Sequence, residues 1–273
     1  MRFFLVAALF AAPLLGAGRS PEIEQAFEKL YNFNFPAANQ ILDGYIGTHA
    51  DEPLPYAVRA SADLFFELDR LGILEEEFFV SDDRIAEKKK QKPDAANRTR
   101  FLQAIKDAQS RAQIVLAAHP QDREALFAMC MSQGLATDYM ALVEKHQIRS
   151  LTSAKTSNRY AQQLLKIDPQ YYDAYLSTGI TEYLVGSLPF FIRWFVHFDN
   201  VQGNKDQGIQ NLMIVAEKGH YLRPFAKILL GIVYMREKKP QRTEQLLAEL
   251  THDYPQNPLL RKELGKVQAL LQR

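Results

Sequence analysis

The sequence predicts an all-α chain of stacked helical hairpins, and three observations predict it. Apolar residues recur at helical spacing over most of the chain after Ser20, prolines interrupt that pattern where helices end, and the stretch 164–179 recurs. That stretch closes one helix at Leu164-Leu165-Lys166-Ile167, turns at Asp168-Pro169 and opens another through Asp173-Ala174. With 47% apolar residues and only 13 glycines and 13 prolines in 273 residues, the chain can fill a sizeable core and is no low-complexity polymer.

Ser20 caps the first helix, Pro21 fits its first position, and Glu22 and Glu24 sit near the positive end of its dipole. Ile23, Ala26, Phe27, Leu30 and Tyr31 then share one face, and Asn32 to Phe35 break the run. Ala37, Ala38, Ile41, Leu42, Tyr45 and Ile46 form the stripe of a second helix, which completes a hairpin with the first. A proline-marked turn over 51–55 leads to a third helix with Tyr56, Ala60, Leu64, Phe65 and Leu68 inward. Between Glu75 and Arg100 the period weakens, and an acidic run precedes a basic one; we read a charged helix end and a loop, solvated and not a docking strip. Asn97-Arg98-Thr99 within it fits a glycosylation acceptor, relevant only where secreted proteins are glycosylated. Helical spacing returns through Phe101, Ile105, Ala108, Ala112, Val115 and Leu116 and ends at His119-Pro120.

Laying Pro120 over Pro169 sets Glu124-Ala125 over Asp173-Ala174 and Cys130 over Gly179. Laying Pro255 over Pro169 sets Gly265 over Gly179. Leu230-Gly231 and Leu264-Gly265 are 34 residues apart, with Tyr234 three residues after Gly231, and Leu247, Leu250 and Pro255 in the second helix and its exit. Small residues let paired helices approach, the aromatic fills the space beside them, and proline stops the second helix. This pattern resembles the tetratricopeptide repeat. The resemblance is closest over 224–257, and it implies one domain over 19–273: a TPR-like helical-hairpin solenoid coiled into a right-handed superhelix. Cys130 to Gly179 spans 49 residues and Gly179 to Gly231 spans 52, so two units carry insertions or lengthened helices. Pro189 with its aromatic run, followed by Gly203-Asn204-Lys205-Asp206-Gln207-Gly208-Ile209, is also similar to exported bacterial tetratricopeptide proteins, a likeness that leaves the ligand open.

Arg2, the apolar run 3–15 and small residues to Gly18 read as a signal peptide over 1–18 cleaved near Gly18, against the alternative of an uncleaved anchor, for which the run is short. The expected location is the periplasm or the cell exterior. Losing Arg2 from 33 basic residues leaves 32 against 32 acidic ones, so net charge favours no partner. Cys130 is the single cysteine, which rules out an intramolecular disulfide.

Two stretches stand out as candidate binding elements. Over 139–166, readable as one long helix or two broken ones, Lys145, Arg149, Lys155, Arg159 and Lys166 face Glu144 alone; a solvated helix face competes there with a ridge for an acidic peptide or anionic glycan. The insertion 184–203 carries Phe190, Phe191, Trp194, Phe195 and Phe198, with Arg193 and His197 on one narrow polar stripe. Its readings are packing between hairpins, a ligand pocket or partner surface using Phe190, Arg193, Trp194 and His197, and contact with a membrane surface, against which the single arginine argues. The six histidines stand apart in sequence, no phosphate loop or nucleophile elbow occurs, and Cys130 fills a small-residue slot, so neither metal, cofactor nor catalysis is expected. Export and the absence of an aromatic-basic platform argue against nucleic acid. The expectation is a non-catalytic scaffold of the cell envelope that binds a protein or peptide; the alternative is a small-ligand-binding component, transport-associated, with the insertion as its pocket.

Overall fold

The computed structural model describes residues 20–74, 92–187 and 203–272, without the side chains of 147–149, 151 and 152. The expected signal segment 1–18, the charged run 75–91 and most of the insertion, 188–202, lie outside the described residues. Among the described residues there are eleven α-helices and no strand, so the chain is all-α as expected. They are α1 (Pro21–Tyr31), α2 (Phe35–Thr48), α3 (Leu54–Arg70), α4 (Ala95–Ala118), α5 (Arg123–Asp138), α6 (Gln147–Ile167), α7 (Tyr175–Ser187), α8 (Lys205–Lys218), α9 (Arg223–Arg236), α10 (Pro240–Asp253) and α11 (Pro258–Leu271). A π-turn, Tyr139–Val143, continues α5, and a short 3-10 turn, Tyr172–Ala174, precedes α7.

Local chemistry sets the helix starts. Ser20, Asn34, Asp94, Asp122, Asn204 and Asn257 accept hydrogen bonds from first-turn N–H groups of α1, α2, α4, α5, α8 and α11. Prolines stand in the first turns of α1, α2, α3, α9, α10 and α11, where a missing N–H costs no helical bond. The stripes read from the sequence face inward: Ile23, Phe27, Leu30, Leu42, Tyr56, Leu64, Phe101 and Ile105 are all buried.

Each odd-numbered helix up to α9 packs on the even-numbered helix after it, which makes five hairpins, and α11 packs on α10. Consecutive hairpins meet through α2 with α3, α4 with α5, α6 with α7 and α8 with α9, while α3 also packs on α1 and α5. Four junctions share one hydrogen-bond pattern. The residue that ends the helix donates to the carbonyl four back and accepts from the N–H three on. These pairs are His49 to Tyr45 with Glu52 to His49 (3.0 and 3.2 Å), His119 to Val115 with Asp122 to His119 (2.7 and 3.0 Å), Asp168 to Leu164 with Tyr171 to Asp168 (2.8 and 3.1 Å), and Tyr254 to Leu250 with Asn257 to Tyr254 (2.8 and 3.1 Å). Pro120, Pro169 and Pro255 follow the pivot in three of them. Ala50 follows it in the first, which is why sequence spacing reveals only three copies.

The two long units are long for different reasons. Of the two readings of 139–166, the broken one holds: the π-turn ends at Val143, Lys145 takes φ 60°, and α6 begins at Gln147 and runs 21 residues. The second excess lies between α7, ending at Ser187, and α8, beginning at Lys205. These two helices cross so closely that a Cβ at Gly208 would lie 2.5 Å from the Tyr183 amide nitrogen and 2.8 Å from the Gly179 carbonyl oxygen. Glycine is required there by space, as the repeat reading expects of Gly179. Gly265 differs: a Cβ there would meet nothing within 4 Å.

Two expectations at the α3–α4 contact change. Helix α4 begins at Ala95, earlier than the charged composition suggests, because Asp94 caps it and the Asp94 N–H donates to buried Glu67 (2.9 Å). Asn97 is fully buried and its amide donates to the Asp63 carbonyl (2.9 Å), so the folded chain does not offer it for glycosylation. Glu67 is held by Arg70 at 2.7 Å, and breaking such a buried pair costs far more than the pair adds.

The last junction returns to the first hairpin. Asn257 caps α11 through Oδ1 and donates from Nδ2 to the Tyr31 carbonyl (2.9 Å), and the Gln256 N–H donates to Asn32 Oδ1 (3.2 Å). Removing the Asn257 amide strips a cap and leaves a buried carbonyl unpaired, so Asn257→Ala is expected to lower unfolding free energy by about 2 kcal/mol in urea melts. Lys238 follows α9 at φ 56°, a conformation glycine adopts without strain. Lys238→Gly should raise stability by about 0.5–1 kcal/mol in the same assay.

Candidate ligand cavity

The inner faces of α1, α3, α5 and α7, the start of α9 and part of α6 line a partly open cavity of about 110 Å³. Its walls are mainly apolar, led by Phe27, Phe65, Phe127, Met131, Leu135 and Phe225. Aromatic contacts hold several of these side chains in place. Tyr221 stacks on Phe27 at 4.9 Å and on Phe127 at 6.3 Å between ring centroids, and Phe65 meets Phe225 edge-on at 5.4 Å.

One wall carries hydroxyls. Ser157 on α6 donates to the Cys130 carbonyl on α5 (2.8 Å), and its oxygen lies 2.9 Å from Ser177 Oγ on α7 and 3.7 Å from Cys130 Sγ. Thr181, one turn beyond Ser177, donates to the Ser177 carbonyl (2.7 Å). On the opposite side, Ser61 of α3 donates to the Ala57 carbonyl (3.2 Å) and Tyr31 of α1 to the Tyr221 carbonyl (2.8 Å). Burial pushes the Cys130 thiol up to about 11, despite its serine neighbours, so at neutral pH it is a packing group and not a thiolate nucleophile.

The remaining wall depends on Asp173. At the α8–α9 junction Gly219 donates to Val215 (2.8 Å) as in the other joints. The following N–H groups of His220, Tyr221 and Leu222 then donate to the Asp173 carboxylate at 2.9, 3.1 and 3.0 Å. Burial raises the Asp173 pKa and these three donors oppose that rise. A Cβ on Gly219 would lie 2.5 Å from the Val215 carbonyl oxygen and 2.9 Å from Asp173 Oδ1, so the clamp tolerates only glycine. His220 Nε2, on the same loop, lies 3.0 Å from Glu24 Oε1 of α1.

None of the binding residues expected from sequence is among the described lining of the cavity. Phe190, Arg193, Trp194 and His197 lie outside the described residues, and so does the side chain of Arg149. Lys145 and Arg159 are exposed, Arg159 with its guanidinium 5.7 Å from the Tyr160 ring centre, and neither lines the cavity. Of the repeat positions, Cys130 borders the cavity; Gly179, Leu230, Gly231 and Tyr234 are buried in helix contacts, and Leu264 is half-buried. Sequence reading missed Ser157 and Ser177. A signal existed for the first: Ser157 falls between Ala154 and Ala161 on the apolar stripe of α6, a polar residue on an inward face. Among the described residues no three His, Cys, Asp or Glu side chains gather as a metal site. No family model, curated protein or solved structure matches the chain.

Asp173→Ala would strand two buried N–H groups and a part-buried third, and chemical denaturation should show a loss of about 2–4 kcal/mol. Cys130 should react with iodoacetamide at least about 100-fold more slowly in the folded protein than in urea, measured by mass spectrometry at pH 8.

Proposed function

We propose that the chain is a TPR-like superhelix acting as a non-catalytic binding protein, exported to the cell envelope, and that it binds a small apolar molecule in its central cavity. The observation that carries this reading is the cavity with aromatic walls. A peptide-binding scaffold of this architecture needs an open groove along the inner helices. Here the first hairpin is bonded to the loop at Tyr221 and to the joint at Asn257, and the inner helices converge on one partly open pocket. An apolar cavity of this order is comparable with the protein cavities of about 150 Å³ that take benzene, and its partly open side lets a one-ring ligand enter. The repeated joint, the five hairpins and the glycine crossing at Gly208 support the TPR-like assignment.

Toluene is the first probe. At ten times its Kd it should add about 1.4 kcal/mol of stability, read as a rise in melting temperature. Ala154→Phe, which fills the cavity from α6, should abolish that rise while the protein stays helical by circular dichroism. A toluene effect that survives this substitution would place binding elsewhere and overturn the reading.

A further inference from the structure

We propose that the cavity selects neutral small aromatic alcohols, of the phenol class, because the hydroxyls of its polar wall can accept hydrogen bonds but have no proton to give. The inference rests on the reading of the cavity as the ligand site.

The selectivity follows from a count of protons. A hydroxyl has one proton and two lone pairs. Tyr31 gives its proton to Tyr221, Ser61 to Ala57, Thr137 to Gln133, Thr181 to Ser177 and Ser157 to Cys130, all backbone carbonyls, at 2.7–3.2 Å. Since the Ser157 proton is committed, the 2.9 Å contact between Ser157 and Ser177 is made with the proton of Ser177. Each of these six lining hydroxyls therefore presents only lone pairs to whatever enters. Ser157 accepts both from Ser177 and from the Cys130 S–H at 3.7 Å, which occupies its two lone pairs and the thiol's one proton and leaves Ser177 and Thr181, one helical turn apart on α7, as the acceptors on that wall. The backbone N–H of Leu222, a lining residue, is taken by Asp173.

This arrangement discriminates by chemistry. An entering O–H replaces its lost water with a serine or threonine oxygen. A carbonyl or nitrile loses its water and meets only lone pairs, so its desolvation goes uncompensated. A carboxylate fares worse: among the described lining residues there is no lysine, arginine or histidine, and two are aspartates, Asp138 and Asp173. The aromatic walls and the volume set the body of the ligand at about one ring.

Calorimetric titration of the full chain with phenol, toluene, benzonitrile and benzoate tests this. Phenol and toluene should bind, benzonitrile at least about 10-fold more weakly than phenol, and benzoate not at all. Ser177→Ala and Thr181→Val remove the acceptors. At least one of them should weaken phenol about 5- to 10-fold while leaving toluene within twofold, with melting curves confirming that each variant folds. Benzonitrile or benzoate binding as well as phenol, or both variants shifting phenol and toluene alike, would overturn the donor selectivity and leave the cavity reading intact. If neither phenol nor toluene binds, the cavity reading fails as well.

Discussion

The constraint behind this structure is that a helix cannot simply stop: its last carbonyls and the next helix's first N–H groups need partners when the end is packed against other helices. The junctions at His49, His119, Asp168 and Tyr254 meet that need with the same two backbone bonds, which close the outgoing helix and start the return. Because the bonds are backbone to backbone, the joint recurs with histidine, aspartate or tyrosine at the pivot. Proline after the pivot ends the helix cleanly, but Ala50 shows that it is not required.

The α8–α9 junction departs from that rule, and the cavity lies where it does. Three amides there find their acceptor in Asp173, a side chain from the preceding hairpin's own joint. The loop is thereby drawn inward, Tyr221 is set between Phe27 and Phe127, and the first hairpin gains a hydrogen bond from Tyr31 to the loop. A carboxylate so deeply buried is costly to ionise, and its three charge-assisted bonds offset that cost only while Gly219 leaves room for it. The clamp and the pocket are thus one arrangement: what fixes the loop also forms a wall of the space beside it.

Sequence alone determined the helices, their inward faces and the repeat of the joint, because these depend on contacts within a few residues: caps, prolines and apolar spacing. Phe27, Phe65 and Phe127 were legible as inward-facing or simply apolar, and nothing in their spacing marked them as the walls of one space. That space depends on residues 27, 65, 127, 177 and 225 meeting across five helices, and on whether their side chains fill the volume between them. Only the tertiary structure decided this, since packing leaves a void or closes it according to the distance between helices that share no sequence neighbourhood. The state of each hydroxyl's proton was likewise invisible, for Ser157 could be assigned as a donor only once the Cys130 carbonyl was placed 2.8 Å away.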